Sequence, residues 1–281
     1  MSEAGGTPRP VGIVAGNGVL PRLVARSVRA AGGRTVAVAI EGETDPSIEE
    51  VADEVTWVRL GQLGKMRDTF VAAGVERASF AGGVTKVRFF RDAVPDLLGA
   101  KVLAKLATSR GDDRVLRAVA GAFEEKGIVL LPATSLAPDL TVEPGVLGAR
   151  KPSARERDDI ELGRQVLAKV GALDIGQVVV IREGVVLAVE ATEGTDACIR
   201  RGVAQAGGAV VVVKASKPGQ DLRFDQPAVG PETITSLVGE GAGEGSVLAF
   251  EAGTTLLLER EALLEAARGP KIALVAFARA G

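Results

Sequence analysis

Val11-Gly12-Ile13-Val14-Ala15-Gly16-Asn17-Gly18-Val19-Leu20-Pro21 is the stretch that decides the fold. The apolar run Val11 to Ala15 stops at Gly16-Asn17-Gly18, and Leu20 to Ala31 then carries helical character, with Pro21 where a first helical turn tolerates it. Outward from this strand–turn–helix the same alternation continues. Thr35 to Ile40 and Val55 to Leu60 read as strands, Met66 to Ala73 as a helix closed by Gly74, and Ala78 to Ala81 as a strand running into Gly82-Gly83. Helices are predicted around Ala100 to Ala107 and Asp113 to Glu125, followed by the buried-type run Ile128 to Leu131. Strands and helices alternating at this spacing predict an α/β fold whose N-terminal domain is a Rossmann-like parallel sheet covered on both faces.

From Pro132 to Pro152 the rhythm breaks, with Pro132, Pro138, Pro144 and Pro152 and with Gly145 and Gly148 between them. This predicts an N-terminal α/β domain over 1–132, a linker over 133–152 with a short strand near Leu140 to Val142, and a C-terminal domain over 153–281. The second half reads differently. Arg155 to Val170 is an amphipathic helix, and Val178 to Ile181 and Val185 to Ala191 flank Arg182-Glu183-Gly184 as a hairpin. Thr195 to Ala204 reads as a helix and Ala209 to Val213 as a strand. The segments Glu232 to Val238, Val247 to Phe250, Thr254 to Leu258, Glu261 to Ala267 and Ile272 to Phe277 complete a mixed α+β domain.

Composition narrows the chemistry. The 281 residues include no histidine, no tyrosine and one cysteine, Cys198. A His-dependent triad, a His metal cluster, a Cys-rich zinc site and a Tyr-Lys proton relay are thereby excluded, leaving Asp, Glu, Lys, Arg, Ser, Thr, backbone and water. With 34 basic against 36 acidic residues there is no basic field for nucleic acid. A lone cysteine forms no internal disulfide, which suits a reducing compartment. No signal-peptide apolar region opens the chain, and no apolar run reaches the roughly 18 residues that span a bilayer. The chain reads as soluble and cytoplasmic, with a peripheral contact to a membrane left open. Aromatics are only 3%, so the core must be aliphatic.

Five stretches carry candidate chemistry. Glycines at Gly16-Asn17-Gly18 let backbone N–H groups and a helix N-terminus approach a phosphate. A tight turn explains them equally, and the third glycine of a dinucleotide fingerprint falls on Pro21. Glu41, after the second strand, stands where a ribose-binding acid would. Phe80-Ala81-Gly82-Gly83 ends another strand on the same rim. Arg110-Gly111-Asp112-Asp113 precedes a helix that Asp112 is placed to cap. Glu190 to Asp196 gathers three carboxylates and two hydroxyls, more than capping needs, and hard oxygen ligands of this kind suit Mg²⁺ completed by substrate phosphate. A solvated helix cap is the plainer reading. Lys214-Ala215-Ser216-Lys217-Pro218 and Arg223 could meet a diphosphate, with Asp225 binding metal or a nucleophilic water; loop lysines are more often simply solvated.

Taken together, Ile13 to Pro21, Phe80 to Gly83, Gly111 to Asp113, Leu173-Asp174-Ile175-Gly176-Gln177, Val189 to Asp196, Lys214 to Pro218 and Asp225 resemble a family: the metal-dependent UDP-2,3-diacylglucosamine pyrophosphatases of lipid A biosynthesis, in the form found in Gram-negative bacteria that lack the metallophosphoesterase version. The resemblance covers nearly the whole chain.

It implies hydrolysis of UDP-2,3-diacylglucosamine to 2,3-diacylglucosamine 1-phosphate and UMP. It also implies Mg²⁺, water attack on the α-phosphorus, and a lipid-sugar product held between two domains. On that basis Asp225, Asp196 and Lys217 are the expected catalytic residues, with Asp225, Asp196 and Glu190 as metal ligands. Gly16, Asn17, Gly18, Val19, Ala81, Gly82, Gly83, Gln177, Thr195 and Lys214 are expected to contact substrate. The implied partner is the lipid-linked nucleotide sugar; peripheral contact with the inner membrane and homodimer formation stay open. Two other readings remain beside it. One is a non-enzymatic nucleotide-sugar sensor; the other is a nicotinamide-dependent oxidoreductase, weakened by Pro21 and by the lack of His and Tyr.

Overall fold

The structure is a computed structural model in which residues 9–84, 93–107, 112–239 and 243–279 are described, the side chains of 103, 105–107 and 112–116 excepted. The turn at Arg110-Gly111 and the capping side chain of Asp112 lie outside the described residues. The chain forms two compact units, Met1–Pro138 and Asp139–Gly281.

In the first unit, the strands are β1 (Val11–Ala15), β2 (Thr35–Ile40), β3 (Glu54–Val58), β4 (Arg77–Ala81) and β5 (Val129–Leu130). The helices between and after them are α1 (Leu20–Ala30), α2 (Leu63–Ala72), α3 (Leu97–Ala107), α4 (Asp112–Glu124) and the single turn α5 (Ala133–Leu136). The strands are parallel in the order β3-β2-β1-β4-β5. Both β1 and β2 are buried along their whole length, as the unbroken apolar runs require. The chain leaves β1 first toward β2 and β3, then returns to β4 on its other side. That reversal makes β1/β4 a switch point, where the crevice beyond the strand ends is open to ligands. Register aligns Ala15 with Ala81, so the two glycine turns begin side by side.

Where a strand was expected near Leu140 to Val142, the chain instead makes a 3-10 turn, Pro138–Leu140. Pro138 fixes φ near the helical value and has no N–H for a ladder, so pairing begins only later, at β6 (Gly145–Val146).

The second unit continues with α6 (Ala154–Ala172), β7 (Val178–Arg182), β8 (Val185–Val189), α7 (Thr195–Ala206), β9 (Val211–Lys214), β10 (Ala228–Val229), α8 (Pro231–Val238), β11 (Val247–Glu251), β12 (Leu256–Leu257), α9 (Arg260–Arg268) and β13 (Ala273–Phe277). Its main sheet is mixed, in the order β6-β13-β11-β9-β7-β8. Strands β9, β11 and β13 run parallel; the β7–β8 hairpin and β6 flank them antiparallel. Both central turn residues of the hairpin are left-handed, Glu183 at φ 50° and Gly184 at φ 78°, matching the twist of the strands they join. Asp159 of α6 fixes that turn by accepting both of its N–H groups, at 2.9 and 2.7 Å.

Alternation along the strands sorts the core. Val178, Val180, Val210, Val212, Leu248 and Leu274 meet Ile199, Ile234 and Leu263 on one face, while Val179, Ile181, Val211, Val213 and Ala249 meet Ile160 and Leu167 of α6 on the other. On the α6 side a glycine sets the spacing: a Cβ on Gly163 would stand 2.4 Å from Val213 Cγ2.

Candidate functional site

The glycine turns of the first unit bind each other. Gly16 N–H donates to Ala81 O and Asn17 N–H to Gly83 O, both at 2.8 Å. Gly83 N–H returns a bond to Asn17 Oδ1 at 3.2 Å. A Cβ on Gly16 would lie 2.2 Å from Gly83 O, and one on Gly82 2.2 Å from Asn17 O, so glycine is required at both. The sequence suggested Glu41 as the acid of this rim; the structure places Glu43 there instead, its Oε2 accepting from Asn17 Nδ2 at 3.0 Å. Glu41 is exposed and its N–H pairs with Val58 O. Thr44, which sequence reasoning missed, ties the end of β2 to β1 through Ile40 N and Ala15 O. With those amides engaged, the backbone N–H groups left for an anion would be those of Gly18, Val19 and the first turn of α1. That turn carries no acidic residue and no side-chain cap, and its dipole favours an anion.

The second unit gathers its polar side chains at one end of its sheet. Pairing of Val178 with Lys214 puts the start of β7 beside the end of β9. Glu190 follows β8 and bonds back to Val178 O through its N–H. Lys214 is 6% exposed, and its Nζ makes two hydrogen bonds in the interior: it donates to Ala228 O at 2.8 Å and to Thr195 Oγ1 at 3.1 Å. Thr195 Oγ1 donates to Glu190 Oε1 at 3.0 Å, and Glu190 Oε2 accepts from Gln177 N–H at 3.1 Å. Gln177 Oε1 is buried without a partner. Burial pushes the Lys214 ammonium below its ordinary range, opposed by the negative charges of Glu190, Asp196 and Asp225. One buried cation thus stands in the field of three carboxylates.

The acids differ in setting. Asp196, in the first turn of α7, accepts from Ser236 Oγ at 3.0 Å, and Ser236 in turn accepts from Arg200. Asp225 is exposed, and Gln220 Nε2 clamps it, donating to its Oδ2 at 2.7 Å and its carbonyl at 3.0 Å. Both oxygens of Glu190 are committed, and among the described residues no group of three or more Asp, Glu or Cys side chains is arranged to hold a metal. The set Asp225, Asp196 and Glu190 is therefore not assembled as a cage. Asp196 and Asp225, which both act on the Lys214 charge, are the carboxylates that could hold a Mg²⁺ ion with water and phosphate completing its shell.

Lys217 pairs with Asp174, its Nζ 2.5 Å from Asp174 Oδ1. Sequence reasoning also missed Glu251, 5% exposed at the end of β11. It accepts from Ser216 N–H at 3.1 Å, from the Ser216 hydroxyl and from Thr254 Oγ1 at 2.9 Å, anchoring the loop that follows Lys214. A carboxylate directly after the apolar run Val247 to Phe250 was the signal available.

Two α/β units whose polar side chains collect where parallel strands end mark the class: a two-domain α/β protein built to hold a ligand beyond its strands. Comparison with known proteins gives the family. A model described as the LpxI N-terminal domain matches residues 10–140, and one described as the LpxI C-terminal domain matches residues 143–275. The chain belongs to the LpxI family. A relative from Caulobacter vibrioides, named UDP-2,3-diacylglucosamine pyrophosphatase LpxI, is 37% identical over 272 residues, covering 92% of this chain and 94% of its own. Similar solved structures include a biotin carboxylase domain of a thermophilic 2-oxoglutarate carboxylase (16% identity, TM-score 0.28, 61% of this chain and 34% of that one). Another is N5-carboxyaminoimidazole ribonucleotide synthetase from Thermotoga maritima (12% identity, TM-score 0.26, 66% and 42%). The chain spans less than half of either, and at these scores the likeness bears on neither fold nor function.

Proposed function

We propose that this protein hydrolyses UDP-2,3-diacylglucosamine to 2,3-diacylglucosamine 1-phosphate and UMP in lipid A biosynthesis, by water attack on the α-phosphorus. Family membership along both units supports the substrate. The observation that carries the chemistry is the buried Lys214 ammonium set among Glu190, Asp196 and Asp225. Splitting a diphosphate calls for charge neutralisation and an oriented water rather than a nucleophilic side chain, and those are the groups present.

Asp225 and Asp196 are the residues that would hold Mg²⁺, which supplies charge neutralisation at the phosphates when bound. Asp225, restrained by Gln220, orients the attacking water. Lys214 offers its remaining N–H to a phosphate oxygen, and Lys217, moving off Asp174, adds a second positive charge. In the first unit, the backbone N–H groups of Gly18, Val19 and the first turn of α1 offer a place for an anionic group. Among the described residues no helix is long and apolar enough to cross a membrane. A lipid-bearing substrate would be met by peripheral contact with the inner membrane.

Release of UMP from UDP-2,3-diacylglucosamine, followed with chelator and with Mg²⁺ restored, tests this reading. Asp225→Ala should abolish turnover while keeping the melting temperature and substrate affinity. Near-wild-type turnover in that variant would overturn the role of Asp225; tight binding of the nucleotide sugar with no UMP released would favour a sensor.

A further inference from the structure

Lys214, Thr195 and Glu190 come from three elements, the end of β9, the first residue of α7 and the residue after β8, and they form one bonded series. A hydroxyl has a single proton, and the Glu190 carboxylate can only accept, so the Thr195 proton points to Glu190. The Thr195 lone pairs are thereby turned to the Lys214 ammonium. Glu190 is itself 6% exposed and fixed by Gln177 N–H, so this hydroxyl has no freedom to rotate away. An ammonium carries three protons. Thr195 Oγ1 and Ala228 O take two of them, which fixes the direction of the third.

We infer that Glu190 and Thr195 are positioning residues, which touch neither phosphate nor metal and act by aiming the third N–H of Lys214 at a phosphate oxygen. The role rests on the reading of Lys214 as a phosphate-neutralising cation. It removes Glu190 from the metal ligands and Thr195 from the substrate contacts, and gives both a different task in the same site. A floppy lysine would bind a diphosphate as a diffuse charge; an aimed one meets the charge that develops during the reaction.

The test is a double-mutant cycle on UMP release from UDP-2,3-diacylglucosamine, with a thermal melt for each variant. Thr195→Val keeps the shape and deletes the hydroxyl; it should lower kcat by about tenfold or more, with a smaller change in KM. Thr195→Ser restores the hydroxyl and should return kcat to within about threefold of the parent. In a Lys214→Ala background the Thr195→Val change should cost no more than about twofold further, because its target is gone. Glu190→Gln, should Thr195→Val fail to fold, carries the same expectations. Equal impairment of the Val and Ser variants, or full additivity with Lys214→Ala, would overturn the positioning role. Unimpaired turnover by Lys214→Ala would instead overturn the phosphate reading of Lys214 itself.

Discussion

Asn17 and Gly83 are joined in both directions, the Asn17 N–H to the Gly83 carbonyl at 2.8 Å and the Gly83 N–H to the Asn17 side chain at 3.2 Å. The turns after β1 and β4 are therefore a single piece of structure, and the start of α1 is set by both.

That joint should make the glycines unequal. At Gly82 a methyl group meets Asn17 O and the backbone is left-handed, whereas Gly18 is left-handed with open space around it. Gly18→Ala should cost about 1–2 kcal/mol from conformation alone. Gly82→Ala should add a packing cost of about 1–3 kcal/mol. Urea unfolding followed by Trp57, the one tryptophan and part of β3, reads both. Equal costs at the two positions would contradict the close approach.

Asp159 holds the β7–β8 turn with two bonds from a site 6% exposed to solvent. Asp159→Ala leaves two N–H groups without that acceptor and should destabilise the second unit by about 1–3 kcal/mol. Amide exchange at Glu183 and Gly184 should rise with it; unchanged protection at those two amides would show that the carboxylate does not hold the turn.

Cys198 is fully buried in the core of the second unit, and desolvation pushes its thiol up to about 12, outweighing the opposing charge of Arg201. The folded protein should resist a thiol-specific disulfide reagent at about pH 8 and react once in denaturant. Prompt stoichiometric labelling of the native protein would show the side chain to be accessible.

Glu156 gives the second unit an acid-sensitive joint. Burial alone would raise its carboxyl, but the Arg150 guanidinium, paired with both oxygens at 3.0 and 2.8 Å, and the Ser153 N–H outweigh that and hold it below the ordinary range. A carboxyl lowered on folding contributes stability in full above its unfolded pKa and loses it as pH falls through the folded value. Glu156→Gln should therefore be less stable than the parent near about pH 7, with the gap closing toward about pH 3. A gap independent of pH would assign the loss to packing.

The local part of the architecture was legible. Val11 to Pro21 carries its own punctuation, and Glu183-Gly184 is a turn between two valine-rich runs, so both the parallel sheet and the hairpin follow from short-range signals. What escaped depends on distant pairing. Glu43 rather than Glu41 faces Asn17 because the chain turns at Gly42 after β2. Glu251 reaches Ser216 only because β9 and β11 lie side by side. Lys214 looked like a loop lysine, yet it continues the alternation of Val210 and Val212 and so points into the same buried face. Its partners, Thr195 and Ala228, come from either side of it in sequence. The expectation for Glu190 came from counting acids within seven residues, a count blind to the hydrogen bonds that each of its oxygens accepts in the fold.

β6 pairs with β13 through Gly145–Ala276 and Val146–Val275, and β13 lies between β6 and β11. The first strand of the second unit thus waits for its last. During synthesis the chain must hold β6 unpaired while α6 through α9 are made, and closing so long a loop carries an entropic cost that nearby contacts do not share. Pairing at so large a sequence separation slows folding. The segment entering the unit is consequently the one whose strand stays unpaired longest on a growing chain, until β13 emerges.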